Sequence, residues 1–207
     1  MTVLELDEQD EKAYFQALSS CVVFRTSDRL LVFSGADHRE WLQGQICQDI
    51  RRASEDQPLL TAIASPTGHI QGFGQIFRRG ETTHIISDVT TTNVLETRAE
   101  KMILLEDVRV QVAAEPLWTR QGPLASYDGE GYRHGRFGSG GCDTLEPSAE
   151  CSELTPRAYD LLRLEAGWPV SGLDPAPPAL VPELGEEWAS QAVRKEKGCY
   201  SGQEILM

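Results

Sequence analysis

Three apolar runs, Leu59 to Ala64, Ile70 to Phe77 and Thr82 to Ser87, follow one another with short breaks. The breaks hold Pro66-Thr67-Gly68 and Arg79-Gly80-Glu81, turn-forming residues that predict an antiparallel three-strand meander. Such tight turns leave no room for the long crossovers that join parallel strands. Gly72 and Gly74 lie inside the middle run, which predicts a bulge or a close backbone approach there.

Helical patterns surround this meander irregularly. Residues 8 to 19 place Tyr14, Phe15 and Leu18 on one recurring face, as an amphipathic helix would. Asp37 followed by Glu40 has the capping-box spacing. It predicts a helix that turns Trp41, Leu42 and Ile46 inward and ends near Asp49. Helical spacing recurs over 90 to 104, at Val94, Leu95, Arg98 and Met102. Thr155-Pro156 opens another helix and Gly167 stops it. Residues 21 to 24 and 30 to 33 read as strands flanking Ser27-Asp28, and Val108, Val110 and Val112 alternate as a half-buried strand. The polar stretch 120 to 153 predicts long loops with short strands near Tyr132 to Phe137, and the proline-rich stretch 168 to 182 a structured loop. Helices mixed with hairpins predict the α+β class.

With 207 residues the chain can bury one large core or two small ones. Its net charge of −13 argues against nucleic-acid binding, which rests on Lys and Arg neutralising phosphates. No apolar run approaches the roughly 18 residues of a membrane span. Glu5, Asp7, Glu8, Asp10 and Glu11 crowd the start where a leader would be basic, so a cytoplasmic location is expected. Cysteines stand at 21, 47, 142, 151 and 199, widely spaced and without a Cys-x-x-Cys pair. That pattern indicates no zinc site, disulfide framework or iron–sulfur cluster. His38, His69, His84 and His134 are scattered, so no metal site is expected.

The densest chemistry lies in Lys197-Gly198-Cys199-Tyr200-Ser201-Gly202-Gln203-Glu204. Thiols react as thiolates, which nearby cations favour. Arg194, Lys195 and Lys197 form a basic cluster beside Cys199. Cys199 and Lys197 are therefore the candidate catalytic pair, with Lys197 supporting the thiolate. The alternative is a half-buried cysteine packed as a small hydrophobe. Gly198 and Gly202 allow sharp turns or close approach. Gln203 and Glu204 are candidates to hydrogen-bond a polar ligand, or else to meet solvent at a strand end.

This octapeptide resembles the Lys-Gly-Cys-Tyr-x-Gly-Gln-Glu signature of YgfZ-type folate-binding proteins, relatives of the glycine-cleavage aminomethyltransferase (T-protein). Arg163-Leu164-Glu165-Ala166-Gly167-Trp168-Pro169, Gly35-Ala36-Asp37 with Trp41-Leu42-Gln43-Gly44-Gln45, and Ser65-Pro66-Thr67-Gly68 resemble further segments of that family, in the same order. The resemblance implies strand–helix units around a central channel that holds tetrahydrofolate. It also implies a role supporting iron–sulfur enzymes or their assembly factors. Two α+β subdomains are expected, at 1–115 and 116–207. Gly138-Ser139-Gly140-Gly141-Cys142-Asp143 resembles the superfamily stretch whose acid binds the pterin ring. On that analogy Asp143 joins Gly202, Gln203 and Glu204 as cofactor-binding candidates, since a carboxylate accepts paired N–H bonds.

The chain departs from the family at Ile46-Cys47-Gln48, at Cys142 where an aromatic is usual, and in the unmatched channel aspartate, for which Asp88 is nearby but unaligned. It stops at Ile205-Leu206-Met207, where the family continues into a C-terminal β-barrel. The barrel is expected to be absent, with a homodimer covering the exposed surface. Two other functions stay open, an aminomethyltransferase and a non-catalytic adaptor between proteins.

Overall fold

The computed structural model describes residues 6–125, 127, 129, 131–173 and 175–206, with the side chain of Ser139 excepted. Met207, the last residue of the apolar run, lies outside them. The chain forms two compact units, each built from separated stretches. The first takes residues 1–27 and 115–169, the second 28–114 and 170–207. The serial division expected from the sequence shares the boundary near 115, but the two terminal segments exchange places.

In the first unit, α1 (Glu8–Ser19) and α4 (Pro156–Glu165) accompany a sheet of β1 (Val22–Arg25), β7 (Trp118–Gln121), β8 (Tyr132–Phe137), β9 (Ser139–Thr144) and β10 (Ser152–Glu153). Its order is β10-β1-β7-β9-β8, with β1 parallel to β10 and the other pairs antiparallel. Helix α1 opens on a reciprocal capping box between Asp7 and Asp10. Its inward face is Asp10, Ala13 and Ala17, whereas Phe15 and Leu18 are 62% and 52% exposed. This corrects the expected apolar face. Small alanines let α1 approach Val22, Leu154, Ala158 and Leu162, and the Thr155 hydroxyl donates to buried Asp10 (2.6 Å). Helix α4 forms as expected, with Thr155 as N-cap and Pro156 in its first turn.

Cys21 and Cys151 form a disulfide across 130 positions, which corrects the reading that no disulfide was indicated. Each cysteine directly precedes one strand of the parallel pair β1–β10, where Val22 stands beside Ser152. Only this pairing brings the two together, so spacing alone carried no sign of it. Disulfides are rare in the cytosol, so this bond and the cytoplasmic expectation pull in opposite directions.

The second unit holds an antiparallel sheet ordered β3-β4-β5-β2-β6. Its strands are β2 (Arg29–Ser34), β3 (Leu59–Ala64), β4 (Ile70–Arg79), β5 (Thr82–Ser87) and β6 (Arg109–Val112). The meander β3-β4-β5 stands as expected. Helices α2 (His38–Gln45), α3 (Val89–Met102) and α5 (Glu186–Ala192) belong to this unit, with the short α6 (Gln203–Leu206). Leu31, Phe33, Leu42, Ile46, Ile63, Ile76, Ile85 and Leu95 form its main core, each buried side chain contributing about 1.5–3 kcal/mol.

Two expectations for this unit need different accounts. Gly72 is a close approach, because an added Cβ would overlap Thr91 of α3, whose hydroxyl accepts the Phe73 N–H (3.0 Å). The capping box at Asp37 does not form. Its carboxylate instead accepts the Asp107 N–H (2.8 Å), while the Asp107 carboxylate accepts that of Ala36 (3.0 Å). Helix α2 also stops at Gln45, short of Asp49, and Ile46 is already extended.

Candidate functional site

Three segments singled out in the sequence meet inside the second unit. The Gln43 side chain donates to the Lys197 carbonyl (3.0 Å) and to the Asp49 carboxylate (3.2 Å). The Ser201 N–H donates to the Gly44 carbonyl (3.2 Å). Gly202, at φ +82°, lies so close to the Ser65 carbonyl and Gly68 that any side chain there would overlap them. The resemblance to Gln43-Gly44-Gln45, Ser65–Gly68 and Lys197–Glu204 is thus one packed junction.

Lys197 is buried. Its ammonium donates to the Gln43 carbonyl and to the Gln48 carbonyl (3.2 Å), and lies 4.8 Å from the Tyr200 ring centre. Burial pulls its pKa from 10.5 to about 8, partly countered by Cys47 and Asp49. Cys199 is not among these partners. The lysine fixes the loop from within, and its expected support of the Cys199 thiolate has no contact behind it. Arg194 pairs with Glu196 (3.0 Å), so two of the three expected cations are directed elsewhere.

Cys199 itself is exposed, whereas Cys47 and Cys142 are buried. Burial pushes the Cys47 thiol up to about 12, although Lys197 and Arg98 pull it down. Tyr200 is buried beside this cluster, its hydroxyl without a hydrogen-bond partner, and burial raises it to about 12. Gln203 and Glu204 begin α6, with Glu204 exposed.

Arg98 is the residue the sequence reading undervalued. Placed on α3 by its helical spacing, it is buried with its guanidinium inside the junction. It donates to the carbonyls of Gln45 (3.0 Å) and Ala64 (2.5 Å) and to the Gln71 side chain (2.6 Å). Burial lowers its pKa. An arginine on an otherwise apolar helical face was the signal available.

Asp143 belongs to the first unit and sits buried on β9. Burial raises its pKa, but Arg136 and His134 outweigh that and hold it lowered. Arg136 ion-pairs with Oδ1, and His134 Nε2 lies 3.4 Å from the same oxygen and 2.8 Å from the Thr119 hydroxyl. Oδ2 and His134 Nδ1 are buried without hydrogen-bond partners. The His134 ring lies against Gly141, where a Cβ would overlap it. Alternation along β8, with Tyr132, His134 and Arg136 inward, was the signal for this cluster. Nearby, Arg163 and Glu165 have separate partners. Arg163 donates to Asp160 (3.3 Å) and to the Trp168 carbonyl (3.1 Å), and Glu165 accepts from Tyr14 (2.8 Å).

No family model and no curated protein matches the chain. Among solved structures it is similar to glycine cleavage system aminomethyltransferase T from Bartonella henselae, with a TM-score of 0.74 at 18% identity. The match covers 94% of this chain and 64% of that one. The mixed α+β fold is thus like that of an aminomethyltransferase, and the chain spans about 64% of that protein's length. Among the described residues no helix is long and apolar enough to cross a membrane.

Proposed function

We propose that this chain binds a tetrahydrofolate-type cofactor and uses Cys199 as an accessible thiol in the maturation or repair of iron–sulfur enzymes. The observation that carries the thiol role is the contrast along four residues. Lys197 and Tyr200 are buried, while Cys199 between them is exposed. A thiol that meets client proteins or small oxidants needs such access, and the buried neighbours hold it in a fixed place.

Asp143 supports the cofactor reading. Its Oδ2 is buried without a partner, and leaving such an acceptor unpaired costs about 1–3 kcal/mol. A pterin edge offers the N–H donors that would complete it. Tetrahydrofolate, when bound, supplies reduced pterin nitrogens that carry one-carbon units. Arg136 keeps Asp143 ionised and so keeps Oδ2 an acceptor. Lys197 is the positioning residue of the Cys199 loop.

Aminomethyl transfer is disfavoured by Asp88. That carboxylate accepts the Thr91 N–H (2.8 Å) at the start of α3 and the Ser171 N–H (3.1 Å), so both oxygens are already engaged. Calorimetric titration with folinic acid tests the cofactor reading. Saturable heat is expected. A folded chain that gives none overturns it and leaves the adaptor function.

A further inference from the structure

In the second unit a cleft of about 210 Å³ is lined by Arg39, Ile50, Arg51, Ala53, Arg78 and Thr83. Three guanidinium-bearing residues border one small cavity in a chain of net charge −13. They come from α2, from the turn after Asp49 and from β4. The chain therefore brings together arginines 12 and 27 positions apart in sequence, 39 to 51 and 51 to 78.

Their neutralisation is incomplete. Arg51 is spent on Asp49, through Nε and Nη2 at 2.8 Å each. Arg39 gives one donor to the Gly80 carbonyl (3.0 Å), which removes no charge. No carboxylate among the described residues pairs with Arg78. Glu55 accepts the Gly80 N–H (3.4 Å), which leaves its charge in place at the residue whose carbonyl Arg39 holds. Two positive charges beyond the Arg51–Asp49 pair therefore border a cavity with an apolar floor of Ile50 and Ala53. Thr83 adds no free donor, because its hydroxyl is held at 3.0 Å by His38. His38 Nδ1 faces the Gly35 carbonyl (2.7 Å), which can only accept, so the tautomer that donates there leaves Nε2 to accept the Thr83 O–H.

We infer that this cleft binds a small ligand through a phosphoryl group held by Arg39 and Arg78, with the ligand's organic part against Ile50 and Ala53. A phosphoryl group carries up to two charges on three outer oxygens. Planar guanidinium forks on two elements can engage different oxygens at once. This site is separate from the pterin and thiol chemistry proposed above.

The test is titration of the full chain at fixed ionic strength with inorganic phosphate and with phenyl phosphate, read by heat or amide chemical shift. Saturable binding is expected, tighter for phenyl phosphate because its apolar ring meets Ile50 and Ala53. Arg78→Gln and Arg39→Gln should each weaken it about tenfold, or 1.4 kcal/mol. Both residues are exposed, so the variants keep the fold. Arg52→Gln removes the same charge from a residue outside the cleft lining and should change affinity less than twofold. Absence of saturable binding overturns the proposal, as does equal weakening by Arg52→Gln, which would show a diffuse field. Succinate binding as tightly as phosphate would overturn the phosphoryl assignment in favour of a dicarboxylate.

Discussion

In the second unit the buried cations Arg98 and Lys197 donate to main-chain carbonyls of other segments, whereas in the first unit Arg136 is spent on a carboxylate. That carboxylate, Asp143, and its neighbour His134 each keep a buried polar atom without a partner. The cations of the first arrangement are engaged and tie chain segments together, although the Tyr200 hydroxyl beside Lys197 is itself buried without a partner. The second leaves two polar atoms of one cluster buried without a protein partner, which is costly unless something else supplies one. A saturated cation does structural work. The proposed cofactor reading therefore rests on Asp143, whose Oδ2 is left as an acceptor, and not on Lys197.

The largest expected effect breaks the saturated side. Arg98→Met would strand the carbonyls of Gln45 and Ala64 and the Gln71 amide oxygen, and should cost about 4 kcal/mol in urea unfolding. A loss below about 1 kcal/mol would show that these carbonyls find water, and the contrast would fail. Asp143→Asn comes next, at about 3 kcal/mol, because it leaves Arg136 as a buried charge without its counterion. It should also abolish saturable heat with folinic acid in the fraction that remains folded. Unchanged folinic acid affinity would remove Asp143 from the cofactor site.

Most of the scaffold could be read from pattern. The meander, α3, and α4 with its Thr155–Pro156 start all follow local periodicity and turn chemistry. What failed were features decided by partners distant in sequence. Asp37 had the spacing of a capping box but met Asp107, and a backbone N–H from another element took its carboxylate. Cys21 and Cys151 became neighbours only through a parallel strand pair. Phe15 and Leu18 had helical spacing, yet the alanines and Asp10 on the other face allowed the tighter contact with α4. At the candidate site, the octapeptide was legible as a unit, though a reactive and a half-buried Cys199 fitted its pattern alike, and the fold exposes the thiol. The inward turn of Lys197 was not, because a lysine near a cysteine reads the same whether its ammonium meets the sulfur or a carbonyl behind it.

Lys197→Met sharpens that last point with a smaller effect, about 2 kcal/mol near neutrality, from two stranded carbonyls. Its size changes with pH in a defined way. Burial holds the folded-state pKa at about 8 against 10.5, so between those values the unfolded chain binds the proton more strongly. The folded wild type therefore gains stability as pH rises from about 8 to 10.5, and below about 8 the burial penalty is fully present. Lys197→Met lacks this gain, so the gap between the two proteins should widen from pH 7.5 to pH 10. Parallel curves would mean that the ammonium is solvated and that Lys197 is free to serve Cys199 after all.

The smallest effect on stability, and the sharpest on function, is expected from Cys199→Ala. An exposed thiol contributes little to packing, so the variant should unfold within about 0.5 kcal/mol of the parent. Folinic acid affinity should also hold, because the cofactor contact is assigned to Asp143. The proposed loss is confined to iron–sulfur enzyme activity in cells that depend on this protein. Full complementation by Cys199→Ala, with folinic acid binding intact, would leave a cofactor-binding protein whose exposed sulfur has no task. Loss of both together would instead mean that the terminal loop helps to hold the cofactor. The functional division between a ligand-seeking carboxylate and a separately presented thiol would then have to be given up.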